Sequence, residues 1–192
     1  KEIQDLLQKI QFIKKRSLFI DIGGADGFYS TGSLINGLFN RCLVYEASSR
    51  GRRAILNNAK LNKVENKIEI KSTISDKALL KNIDLFQDSV ILCDIEGGEF
   101  ELFTEKVLSS LCKNEIIIEV HKLFGSKNWK DLFKVSSKYF DIKIIYPAPR
   151  NLIDLSIFSD ISGYSDNDRA LLISEGGSNS SEWWHLSPKK GT

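Results

Sequence analysis

Several residue types that tie a chain to a special environment are scarce or missing. The 192 residues include no methionine, three prolines, three cysteines and two histidines. Three cysteines cannot all pair with one another. No Cys-x-x-Cys occurs, and two histidines cannot complete a zinc cluster with Cys42, Cys93 and Cys112. Reduced thiols and a cytoplasmic protein are expected. No apolar run approaches the ~18 residues of a membrane span, so no membrane partner is expected. Charge of one sign is lacking too: Lys+Arg 27 against Asp+Glu 25 leaves +2. Such a balance does not make nucleic acid the expected partner. The short basic clusters, Lys14-Lys15-Arg16 and Arg50, Arg52 and Arg53, read as solvated faces. Without a methionine, a chain opening on Lys1 is expected to lack its true start.

The composition that remains is globular, with 42% hydrophobic and 27% charged residues. At ~100–200 residues per domain the length predicts a single domain over 1–192. Ile3, Leu6, Leu7, Ile10 and Ile13 recur at helical spacing, so 1–16 reads as an amphipathic helix. Apolar runs at 17–23 and 89–94 read as strands buried on both faces, 41–46 and 115–120 read as further strands, and 67–72 alternates like a strand. Helices are expected at about 26–38, 49–62 (with Ser49 as the cap), 76–85, 100–111 and 129–140. Strands alternating with helices predict an α/β fold: a Rossmann-like, doubly wound, mainly parallel seven-stranded sheet. The last two strands are expected at 141–146 and 170–174, the last one antiparallel. A cofactor-binding core would then span 17–146. The connection at 147–169 is a candidate acceptor lid, and 170–192 would be last strand and tail. Trp183 and Trp184 are expected to pack rather than to bind.

Ligands of such sheets bind beyond the carboxyl ends of the strands, so those ends carry the candidate chemistry. The first strand stops in Asp21-Ile22-Gly23-Gly24-Ala25-Asp26-Gly27. Glycines at Gly23 and Gly27 let the backbone turn tightly and approach a ligand, with a helix N-terminus behind them. The dinucleotide and P-loop glycine patterns are both absent. The second strand stops at Glu46, 23 residues after Gly23, where an acid can hold both hydroxyls of a ribose. Thr73-Ile74-Ser75-Asp76 follows the third strand, a small polar turn that suits an adenine edge or caps a helix. The fourth ends in Asp94-Ile95-Glu96-Gly97-Gly98-Glu99 and the fifth in Glu119-Val120-His121. Glu99 reads as an acid favouring the next helix N-terminus. Glu119 or His121 could accept a proton over the same cleft. Asp94, Glu96 and His121 could instead hold one divalent ion, the less favoured reading, so no metal is expected.

Taken together these segments resemble a class I S-adenosylmethionine-dependent methyltransferase, more narrowly the FkbM-type family. That family's D-x-G-A-N-x-G-x-Y-[ST] is matched by D-I-G-G-A-D-G-F-Y-S, Asp21 to Ser30, with Gly24 and Ala25 replacing its Ala and Asn. Its E-P-x-P segment is E-A-S-S here, Glu46 to Ser49, and its L-x-x-N-x-x-x-N flavour falls on Leu56, Asn57, Asn58 and Asn62. The most specific signature, D-x-E-G-x-E, is matched by D-I-E-G-G-E, Asp94 to Glu99, and E-x-H by Glu119 to His121. The resemblance covers about 18–120.

It implies S-adenosylmethionine as cofactor and methyl transfer to a hydroxyl of a sugar or small natural product, a small-molecule or glycan acceptor. The implied cofactor residues are Asp21, Gly23, Gly24, Ala25, Gly27 and Tyr29, with Glu46 and Ala47 at the ribose. Thr73, Ile74 and Ser75 would lie at the adenine, and Asp94 would face the amino group or the acceptor. The implied catalytic set is Asp94, Glu96 and His121. Two other readings stand beside it: a nucleic-acid methyltransferase on the same scaffold, and a non-catalytic cofactor-binding module. The first lacks the N/D-P-P-[YF] pattern of amino-directed enzymes, and the intact strand-end acids weigh against the second.

Overall fold

The structure, a computed structural model, describes residues 1–122, 128–146, 163, 165, 167–168 and 181–189. The chain runs through α1 (Glu2–Ile13), β1 (Leu18–Ile22), α2 (Phe28–Ile35), β2 (Arg41–Tyr45), α3 (Ser49–Leu61), β3 (Ile68–Lys71) and α4 (Asp76–Lys81). It continues with β4 (Ser89–Cys93), α5 (Glu99–Leu102), α6 (Glu105–Ser110), β5 (Glu115–His121), α7 (Asn128–Tyr139), β6 (Phe140–Ile145) and β7 (Ser181–Pro188). Among the described residues, no helix is long and apolar enough to cross a membrane.

The apolar runs fold as strands because both of their faces are covered. All five residues of β1 and of β4 are buried. Alternate side chains enter two cores. Ile20, Ile22, Ile91, Cys93, Ile116 and Ile118 join Leu79, Leu108 and Leu132 from α4, α6 and α7. Phe19, Val44, Leu92 and Ile117 join Ile3, Leu7, Leu34 and Ile55 from α1, α2 and α3. Each such side chain contributes about 1.5–3 kcal/mol of burial. Gln11 fastens α1 to the sheet: its side-chain amide donates to the Arg16 carbonyl, and its oxygen accepts the Arg16 N–H, both at 2.8 Å.

The seven strands form one sheet in the order β3-β2-β1-β4-β5-β7-β6. Neighbours from β3 to β5 are parallel, and β7 runs antiparallel to both β5 and β6. The predicted Rossmann-like sheet with an antiparallel last strand is therefore present. The chain moves outward from β1 through β2 to β3, then returns to lay β4 on the other side of β1. That reversal opens a crevice at the carboxyl ends of β1 and β4.

The last strand of the sheet among the described residues is one that was not predicted. It is formed by Ser181–Pro188, pairing Leu186 with Ile116 and Ile142, whereas the predicted 170–174 falls outside the described residues. Most of the predicted lid at 147–169 also falls outside them. Trp184 enters one core and Trp183 the other, so the pair interrupts the apolar–polar alternation that would mark a strand. The expected packing of the two tryptophans is what the fold shows.

Helix boundaries differ locally. The stripe at 100–111 is two helices, because the Thr104 hydroxyl caps a new start by accepting the Val107 N–H. The cap of α3 is Ser48 rather than Ser49. The helix predicted over 76–85 ends at Lys81 and passes into a short 3-10 turn, Ile83–Phe86.

Candidate active site

The glycine turn after β1 is bound to both neighbouring strand ends. Gly23 and Gly24 donate their N–H groups to the Tyr45 carbonyl at 2.8 and 3.2 Å, and Asp94 donates its N–H to the Ile22 carbonyl at 2.8 Å. Gly23 has a φ of +92°, and a Cβ there would fall 1.7 Å from the Asp94 carbonyl oxygen. Only glycine lets the two chain segments approach so closely. Gly27, at φ +89°, opens α2. Ala25 occupies the left-handed region at φ +47°, where the resembled family carries Asn.

Glu46 spans the turn. One carboxylate oxygen accepts the Ala25 N–H at 2.9 Å and the other the Ser48 N–H at 2.7 Å. Arg52 closes the corner by donating to the carbonyls of Glu46 and Ala47 at 2.8 and 2.6 Å. Asn58, in the asparagine-rich stretch of α3, donates to the Asp26 carbonyl at 2.8 Å and steadies the loop.

These elements wall a cleft of about 400 Å³, within the usual range for small-molecule sites. Of the predicted residues, Gly23, Ala25, Glu46, Ala47, Thr73, Ile74, Asp94 and Glu96 line it, together with Ile22, Tyr45, Ser72 and Ile95. Asp21, Gly24, Gly27, Tyr29, Ser75 and His121 are not on that wall. Ser75 caps α4 by accepting the Ala78 N–H. Tyr29 packs edge-on against Trp183, with ring centroids 6.1 Å apart. Asp21 is buried below the glycine turn with both carboxylate oxygens lacking a hydrogen-bond partner. Burial pushes its pKa up to about 7, and Ser30 pulls only partly the other way.

Beyond β4 and β5 the side chains converge. Asp94 and Glu119 lie one step past the paired Cys93 and Ile118. Asp94 and Glu119 therefore meet as cross-strand neighbours. Burial pushes the Asp94 carboxyl up to about 7, the Glu119 charge adds to this, and His121 opposes it. His121 Nε2 lies 3.7 Å from Asp94 Oδ1 and 3.3 Å from Glu96 Oε2. Glu96 is exposed and holds a φ of +50°, so the loop is strained where it meets the cleft.

Glu99 is the site residue whose role the sequence reading missed. It is fully buried and does not simply decorate a helix start. One oxygen accepts the His121 N–H at 2.9 Å and lies 3.4 Å from His121 Nδ1, and the other accepts the Gly97 N–H at 2.7 Å. It thus joins the loop after β4 to the end of β5. The signal available was the third acid of D-I-E-G-G-E, which helix-start preference explained too readily.

No protein-family model matches the chain, and no curated protein matches it significantly. Solved structures do. A precorrin-6y C5,15-methyltransferase from Geobacter metallireducens superposes with a TM-score of 0.63 at 11% identity, over 98% of this chain and 88% of that one. An O-methyltransferase from Bacillus cereus in complex with SAH gives 0.58 at 12%, over 95% and 79%. Streptococcus pneumoniae Sp1610, proposed to be a tRNA (m1A22) methyltransferase and bound to S-adenosyl-L-methionine, gives 0.60 at 12%, over 100% and 74%. The chain has the class I methyltransferase fold.

Proposed function

We propose that the chain is an S-adenosylmethionine-dependent methyltransferase of the FkbM type that methylates a hydroxyl on a sugar or small natural product. The observation that carries this reading is Glu46. It stands at the end of β2 with both oxygens held by backbone N–H groups, in one cleft with Gly23, Ile74 and Asp94. Cofactor-bound neighbours of the same fold support it.

The residues present fit the cofactor. Glu46 would hold the ribose hydroxyls through its free lone pairs. Ile74, with Thr73 and Ser75 in the same turn, would bound the adenine. Gly23, Gly24, Ala25 and Gly27 would shape the turn around the methionine portion, with Asp21 buried beneath it, a carboxyl that would have to ionise to face the cofactor's amino group. Tyr29 and Ala47 support the turn and the ribose side. When bound, S-adenosylmethionine supplies an electrophilic methyl group on a sulfonium. Asp94 then faces the acceptor side of the cleft. Glu96 and His121 orient the acceptor hydroxyl and take its proton, so that positioning supplies most of the acceleration.

An acceptor screen with methyl-labelled cofactor tests the acceptor class. Label transferred to sugars or small hydroxylated products supports the proposal. Label transferred to RNA or DNA, with binding that weakens steeply with salt, would replace it with nucleic-acid methylation. Cofactor binding with no transfer to any acceptor would leave a binding module.

A further inference from the structure

The end of β4 and β5 carries more negative charge than its partners balance. Asp94, Glu96 and Glu99 all lie within ion-pair distance of one imidazole, that of His121. Glu119 joins them, with one ligand atom each from Asp94, Glu119 and His121 lying within 4.8 Å of one another. Among the described residues, no lysine or arginine pairs with Asp94, Glu96 or Glu99. Lys122, next in sequence, is engaged 2.7 Å from Glu182 and sits over the Trp129 ring. Asp94 Oδ1 is buried without a hydrogen-bond partner. Two carboxylates brought together in a partly buried site are costly unless a shared proton or a cation lies between them, and a divalent ion competes with that proton.

We propose that Asp94, Glu119 and His121 form a divalent-cation site. Asp94 and Glu119 each supply a carboxylate oxygen, and His121 supplies Nε2. Glu99 holds the His121 main chain by accepting its backbone N–H at 2.9 Å, and its carboxylate lies 3.4 Å from the imidazole Nδ1, which turns Nε2 toward Asp94 and Glu96. Two oxygens and an imidazole nitrogen suit a first-row ion such as Mn²⁺ better than Ca²⁺, which takes oxygen ligands. Three protein ligands leave positions open beside the cleft that Asp94 lines. Ion binding itself does not depend on the methyl-transfer reading. Where that reading also holds, the ion would draw the acceptor hydroxyl to the strand ends and lower its pKa, so that His121 positions the acceptor through the ion and proton removal falls to Glu96 alone.

The test titrates Mn²⁺ alone into the metal-stripped full chain, followed by the loss of the free-ion paramagnetic resonance signal and by calorimetry. One site is expected. Glu119→Gln and Asp94→Asn should each weaken it at least tenfold with the circular dichroism spectrum unchanged, and Glu99→Gln should weaken it by about 10–100-fold. Having two ligand variants keeps the test decisive should one of them fail to fold. No binding up to about 1 mM would overturn the proposal. So would binding that neither ligand variant alters, as from scattered surface acids. Ca²⁺ competing as well as Mn²⁺ would remove His121 from the ligand set.

Discussion

Gly23 lies against the main chain of Asp94 so closely that no side chain can come between them. A Cβ at Gly23 would stand 1.7 Å from the Asp94 carbonyl oxygen, with Ile95 Cγ2 at 3.0 Å. The contact joins β1 to β4 at the crevice where the strand order reverses. Gly23→Ala adds a backbone collision to an unfavourable φ and should cost about 3 kcal/mol or more. Gly97 has a similar φ of +97° but open space around it. Gly97→Ala should therefore cost only about 1–2 kcal/mol. Thermal melts separate the two, at roughly 2–4 °C per kcal/mol for a chain of this size. Equal losses would mean that φ alone, and not the contact with Asp94, makes Gly23 necessary.

Ala25 holds φ +47° while its N–H is bound to Glu46. Ala25→Gly keeps that hydrogen bond and removes the left-handed penalty, so it should stabilise by about 0.5–1 kcal/mol. Ala25→Asn should do so too, because Asn tolerates the left-handed region, and under the proposed function it should also tighten cofactor binding by adding a polar side chain at the cleft wall. Urea unfolding reads the first effect and calorimetry the second. A destabilised Ala25→Gly would contradict the loop geometry.

Asp21 ties stability to pH. Its folded pKa is raised from 3.8 to about 7. Between those values the native state keeps a proton that the unfolded chain has lost. The stability this gives is complete below about pH 4 and fades as pH rises through 7, at up to about 1.4 kcal/mol per pH unit. Asp94 is raised in the same direction and contributes to the same window. Asp21→Asn should remove the Asp21 part, so its stability should fall less than the parent's between pH 4.5 and 7.5. Parallel curves in urea titrations would show that Asp21 is not the group responsible.

His121→Ala should lower turnover at least 10²-fold on a true acceptor while changing cofactor affinity little, because His121 lies off the cofactor wall. Single-turnover kinetics and calorimetry measure the two separately. Unchanged turnover would remove His121 from the chemistry.

Much of this was legible in the sequence for a physical reason. The strands of a parallel sheet are buried on both faces, and 18–20, 42–45, 90–93 and 116–118 show this as short apolar runs with an acid close behind each. The acids at Asp94 and Glu46 announce strand ends because each directly follows a run of buried apolar residues. β7 was not legible: its tryptophans go to opposite cores, and its partners β5 and β6 are distant in sequence. Glu99 was not legible either. Its burial follows from His121, 22 residues on, which only the folded strand ends bring to it.

Calorimetric titration with S-adenosylmethionine and S-adenosylhomocysteine, with NAD and ATP as controls, tests the central claim most directly. The account predicts selective micromolar binding of the first two, weakened at least tenfold by Glu46→Ala in a protein that still folds. Absence of binding, equal binding of the controls, or an affinity that Glu46→Ala leaves unchanged would contradict it.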